Sequence, residues 1–278
     1  MIPETESEPR PPLTLEFVFV LALLAPLSHL LWVILLGQIG VQLIISAIGM
    51  GALITYGGLF ALCASRFRLP PARQLALVGA PASAWLAVVF LGASIVVTSE
   101  IDNVVKSLLP PPPMPSQVAV TPPYFGEALA IVYIGVFPLA YDLFFRGIFQ
   151  PLATTRIGVV PGLLLTASLS GFASAFLQAM MTSGLWALVP GLFEALILCI
   201  LRQSARSLWP VIALHALWGV AQIGAQYKLF GLAGFDAGGD HTPAIWVGGA
   251  ALLTGVGLAL CRVAARAGPG QTSSAARG

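Results

Sequence analysis

Apolar positions in this chain come in long blocks rather than in alternation or in the one-sided stripe of a surface helix. A helix needs about 20 apolar residues to cross a bilayer. Eight blocks meet or approach that length, at about 17–37, 41–64, 82–98, 124–150, 159–180, 186–201, 208–226 and 243–262. The breaks between them are polar. A basic amphipathic connector with Arg66, Arg68 and Arg73 follows the second block. A loop over 99–123 contains the run PPPPMP, which predicts a stiff polyproline II spacer. Pro151 closes the fourth block, and GLAGFDAGGDH precedes the eighth. There is no internal repeat. The pattern predicts an all-α, polytopic membrane helix bundle of about eight transmembrane helices.

This divides the chain into a tail over 1–16, helices and the proline-rich loop over 17–124, a core over 125–226, a loop and last helix over 227–263, and a disordered tail over 264–278. The opening MIPETESEPRPP lacks the positive start of a cleaved signal peptide, and the apolar run after it is too long for one.

Composition narrows the partners. The chain is 58% hydrophobic and 9% charged, whereas a soluble domain carries about 25% charged residues. The lipid bilayer is therefore its solvent. A net charge of +2 without a basic patch excludes nucleic acid. Cys63, Cys199 and Cys261 lie in apolar runs, form no CxxC, and read as buried free thiols. Of the 13 Lys and Arg residues, all but Lys106 and Lys228 fall on one side of an eight-span map. By the positive-inside rule that side is the cytoplasm, and both termini lie there.

Charges inside the apolar blocks are the candidate chemistry. Asp142 and Arg146 are four residues apart, so they share a helix face. Burying a charge in a membrane costs at least about 2.5–3.5 kcal/mol, which makes such a pair a candidate site. Asp142 lies eight residues before Gln150 at the inner end of its block, Glu194 eight before Arg202 just past the end of its own, and His215 seven after the start of its block. At about 1.5 Å per residue all three sit roughly 10–12 Å deep, with Arg146 one turn shallower. The expectation is one polar cluster of Asp142, Arg146, Glu194 and His215. The competing reading is polar glue between helices, which holds most strongly for Glu194. Glu127 reads as interfacial, His29 as a packing or hydrogen-bonding residue, and His241 as solvated in its loop.

Three strings add to this. Tyr141-Asp142-Leu143-Phe144-Phe145-Arg146-Gly147 resembles the EExxxR motif of the CAAX-protease and bacteriocin-processing family (CPBP, or Abi) of intramembrane proteases. SLWPVIALHALWG, from Ser207 to Gly219, resembles its HxxxN/D motif. Phe172-Ala173-Ser174-Ala175-Phe176 is the best match to its FxxxH motif. The resemblance covers about 125–226 and implies a CPBP-like core in a bacterial plasma membrane. It also implies Asp142, Arg146 and His215 as the catalytic positions, no cofactor, and a membrane or prenylated peptide as substrate.

Read position by position, key groups are replaced. The family's water-activating glutamate corresponds to Tyr141, and an ordinary phenol is a poor base at neutral pH. The second-motif histidine corresponds to Phe176, and the asparagine or aspartate of the third to Gly219. The resemblance then implies a degenerate pseudoprotease that binds a membrane segment, a lipid-modified peptide or a partner protein. The alternatives are an active endopeptidase using Asp142 and His215, or a divalent metal held by Asp142, Glu194 and His215.

Overall fold

The computed structural model describes residues 12–38, 44–67, 70–109, 131–182, 187–226, 234–235 and 241–266. The proline run PPPPMP, Glu127, Lys228, Asp236, Asp240 and both tails beyond these limits lie outside the described residues.

Every described element is helical. Helix α1 is Leu15–Gln38. Helix α2 covers 44–64, with a wider π-helical turn at Leu53–Gly57. A single turn, α3 (Pro71–Gln74), sits in the basic connector. Helix α4 spans Ala82–Leu108 with a break after Leu91. Helix α5 covers 131–157 and is π-helical over Ile131–Tyr141 and Leu143–Phe149. The rest are α6 (Val159–Thr182), α7 (Leu188–Ala205), α8 (Trp209–Gln226) and α9 (Ala244–Arg266).

Eight of these correspond to the eight apolar blocks, and the all-helical bundle is as the pattern predicts. By length and composition, six described helices can cross a membrane: α1, α2, α4, α6, α7 and α9. Helix α8 is apolar over Trp209–Gly224 but shorter than these six, and α5 carries the buried Asp142 and Arg146. Helices α1 and α9 bury only 28% and 22% of their most apolar windows, so most of their surface faces the surrounding medium. Leu24 and Leu31 on α1 and Leu252 on α9 are exposed, as lipid contact requires.

Two predictions are corrected. The loop expected from residue 99 is helical as far as Leu108. Ile101, Val104, Val105 and Leu108 recur at helical spacing there, and Asp102 pairs with Lys106 at 2.6 Å one turn on. The second correction concerns His241. Its Nδ1 lies 2.7 Å from Glu100 Oε1, so the residue is hydrogen-bonded rather than merely solvated.

Close helix approach is set by small residues. A Cβ on Gly171 of α6 would meet the Leu192 backbone of α7 at 2.9 Å, so only glycine lets these two helices touch. The α5–α6 turn passes through Gly158 at φ +95°, a conformation L side chains rarely adopt. Two apolar cores result. One joins α1, α2 and α5 around Tyr56, Tyr141, Phe144, Phe145 and Phe149. The other joins α4, α7, α8 and α9 around Leu91, Leu201, Leu208, Leu214 and Trp218. Leu143 of α5 packs against both, so the next turn of α5 lies on the seam.

Candidate functional site

Helix α5 places Asp142 and Arg146 on this seam. Asp142 is fully buried and Arg146 is 1% exposed. Extended π-helix is rare, and where single π-turns occur they are often at functional sites. Here the widened helix turns both side chains inward. Helix α8 brings the third member. Ser207 fixes its start: the Ser207 hydroxyl donates to the Val78 carbonyl at 2.6 Å, and the Trp209 N–H donates to Ser207 Oγ at 3.4 Å. Two turns later His215 reaches α5.

Asp142 is the hub. Its Oδ1 lies 3.0 Å from Arg146 Nη1, and its Oδ2 lies 2.8 Å from His215 Nδ1. A carboxylate only accepts, so Nδ1 carries the shared proton and Nε2 of a neutral His215 is left with a free lone pair. The Arg146 contact is close but misaligned, because Oδ1, Nη1 and Nε complete no hydrogen bond. It is a charge pair, and in an apolar surround it is strong for that reason alone. The Arg202 Nε–H donates to the Arg146 carbonyl at 3.1 Å, which ties α7 to the same turn. Gln150 Nε2–H donates to the Cys199 carbonyl at 2.9 Å one turn further.

Tyr141 occupies the position beside the aspartate and is buried. Its hydroxyl donates to the Ser170 carbonyl of α6. Its ring packs 4.8 Å from Tyr56 and 4.7 Å from Phe145, and stands edge-on to His215 at 6.3 Å. The Arg146 guanidinium carbon lies 5.5 Å from the same ring centre, within cation–π range. Tyr141 is therefore a platform for the pair and the histidine.

The structure brings Asp142, Arg146 and His215 together. Glu194 is half-buried on α7, near enough for its charge to act on His215 and Arg146, but it forms no hydrogen bond or ion pair among the described residues. Among the described residues no three His, Cys, Asp or Glu side chains converge as metal ligands. Phe176 is partly buried and packs on Phe172 at 5.4 Å, while Gly219 is buried and offers no side chain. His29 hydrogen-bonds through Nε2 to the Ile48 carbonyl at 2.9 Å, which fastens α1 to α2.

Sequence reasoning missed Tyr56, Ser170, Gln150 and Arg202. Gln150 and Arg202 read only as helix ends. Gln150 does lie four residues beyond Arg146 on the same face, and that spacing was the available signal. Tyr56 and the Ser170 carbonyl carry no sequence signal.

Asp142 is fully buried, with Oδ2 on His215 and Oδ1 facing Arg146. His215, with 24% of its side chain exposed, is the accessible member of the trio. Chemically the arrangement is an aspartate orienting an imidazole, with an arginine balancing the buried charge.

A helical bundle with apolar spans and a buried Asp–Arg–His cluster defines an integral membrane protein with a polar centre. Residues 125–221 match the family model described as type II CAAX prenyl endopeptidase Rce1-like. The resemblance drawn from these motifs therefore holds over this segment, which contains all three clustered residues. No curated protein and no solved structure matches the chain.

Proposed function

We propose that this protein keeps the CAAX-protease shell and works by binding, holding a transmembrane or lipid-modified peptide without cutting it. One observation carries the reading: the water-activating position is Tyr141, whose proton is committed to the Ser170 carbonyl inside a ring cluster. A buried phenol in that arrangement takes no proton from water. The missing imidazole at Phe176 and the missing amide at Gly219 support the same reading. The basic ends of α7 and α9 favour cytoplasmic termini in a plasma membrane.

A second reading has one observation in its favour. The 2.8 Å Asp142–His215 contact orients the histidine as the aspartate does in a Ser–His–Asp triad, and His215 is partly exposed. His215 Nε2 would then be the base, Asp142 its positioning residue, and the protein an endopeptidase.

Titrating the purified full chain with a fluorescent farnesylated peptide tests the first reading. The expected result is saturable binding with the peptide recovered intact. Absence of saturable binding to both farnesylated and transmembrane peptides would overturn it.

A further inference from the structure

A second polar site lies at the basic end of the bundle, beginning one turn beyond Arg146 on α5. It is a cavity of about 280 Å³ between the last turns of α5, the end of α7 and Ala76 of the connector. We propose that it binds a phosphate ester that carries a neighbouring hydroxyl or ammonium donor.

Charge is the first support. Arg202 and Arg206 both line the cavity, and among the described residues neither pairs with a carboxylate. Arg202 is 8% exposed, and among the described residues its one hydrogen bond runs from Nε to the Arg146 carbonyl, which leaves the outer guanidinium nitrogens uncommitted there. Both arginines lie at the C-terminal end of α7, whose carbonyls carry about half a negative charge. Two guanidiniums exceed that, so the cavity keeps a net positive charge. A planar guanidinium suits a phosphate oxygen pair.

The second support is an unsatisfied acceptor. Gln150 is 1% exposed and lines the same cavity. Its amide orientation is fixed, because the Cys199 carbonyl can accept only from Nε2. Oε1 is then left buried without a partner, which is costly. An anion alone does not satisfy it; a ligand hydroxyl or ammonium does. Anion-binding side chains and an orphaned acceptor in one cavity together define the ligand class.

Backbone conformation is the third. Ala76 (φ +52°) and Arg206 (φ +51°) are the described non-glycine residues with positive φ, and both line this cavity. Each caps a helix end, where glycine is the ordinary choice. At position 206 the chain accepts that strain and gains a guanidinium at the cavity.

The ligand can be a phospholipid headgroup or a soluble phosphate ester, and one experiment separates them. The thermal unfolding midpoint of the detergent-purified full chain is followed against dioctanoyl-phosphatidylglycerol, dioctanoyl-phosphatidylcholine and glycerol 3-phosphate. Phosphatidylglycerol offers phosphate and hydroxyls; phosphatidylcholine offers phosphate without a donor. The expected result is a saturable rise with phosphatidylglycerol at about tenfold lower concentration than with phosphatidylcholine. Gln150→Leu should reduce that preference to the part set by net charge, while phosphatidylglycerol binding persists. Arg206→Gln, at an exposed position that does not disturb packing, should weaken binding about tenfold. An equal response to glycerol 3-phosphate assigns the site to a soluble ester, and a lipid-only response assigns it to a headgroup. No saturable response to any of the three, or responses unchanged in Arg206→Gln, overturn the proposal.

Discussion

Two histidine–carboxylate pairs in this protein have nearly the same length and opposite surroundings. His215 meets Asp142 at 2.8 Å, and His241 meets Glu100 at 2.7 Å. Asp142 is fully buried and shares its charge with Arg146. Glu100 is 18% exposed, and its other oxygen accepts from the Thr242 N–H at 2.8 Å and from Asn103 Nδ2 at 3.3 Å. His241 itself is 56% exposed. The inner pair joins α5 to α8 across the seam between the two cores. The outer one ties the segment before α9 to α4. Distance alone does not separate a structural latch from a candidate centre. Burial, and the presence of a permanent counter-charge, do.

That contrast orders the effects of substitution, measured as thermal or denaturant unfolding of the purified protein in detergent. Arg146→Ala strips Asp142 of its counter-charge in the apolar interior and should cost about 3–5 kcal/mol, enough to block purification of folded protein. His215→Ala removes a hydrogen bond to a charged group and should cost about 1.5–3 kcal/mol. Tyr141→Phe loses only the bond to the Ser170 carbonyl, about 0.5–1.5 kcal/mol, while keeping the ring packing. His241→Ala should cost at most about 1 kcal/mol. That last cost should shrink further between 0.05 and roughly 1 M salt, because solvent ions screen an exposed pair. The cost of Arg146→Ala should be insensitive to salt. An outer pair that outweighed the inner one would break the comparison.

The sequence carried the helices and three of the site residues for physical reasons. Apolar blocks are local signals, and the i,i+4 spacing of Asp142 and Arg146 is visible in one turn. His215 could be placed by depth, since a charge within a membrane has few places to go. The unforeseen contacts span long stretches of chain. His241 and Glu100 are 141 residues apart, and Arg202 and Arg146 are 56 apart. Nothing local marks such partners. The π-helical winding of α5 was also unreadable, because the same apolar residues suit α and π turns alike. The helical stretch over 99–108 was hidden by its polar residues, which the structure satisfies with the Asp102–Lys106 pair and with Asn103 donating to the Gly234 carbonyl at 2.7 Å.

The proposed catalytic silence rests on the phenol at Tyr141, and cleavage of a fluorescence-quenched prenylated peptide probes it most directly. Wild type, Asp142→Ala and His215→Ala would be purified side by side and checked for folding. The account predicts the same background release from every folded form. Turnover by the wild type that disappears in folded His215→Ala would contradict it and make His215 the base of a working endopeptidase.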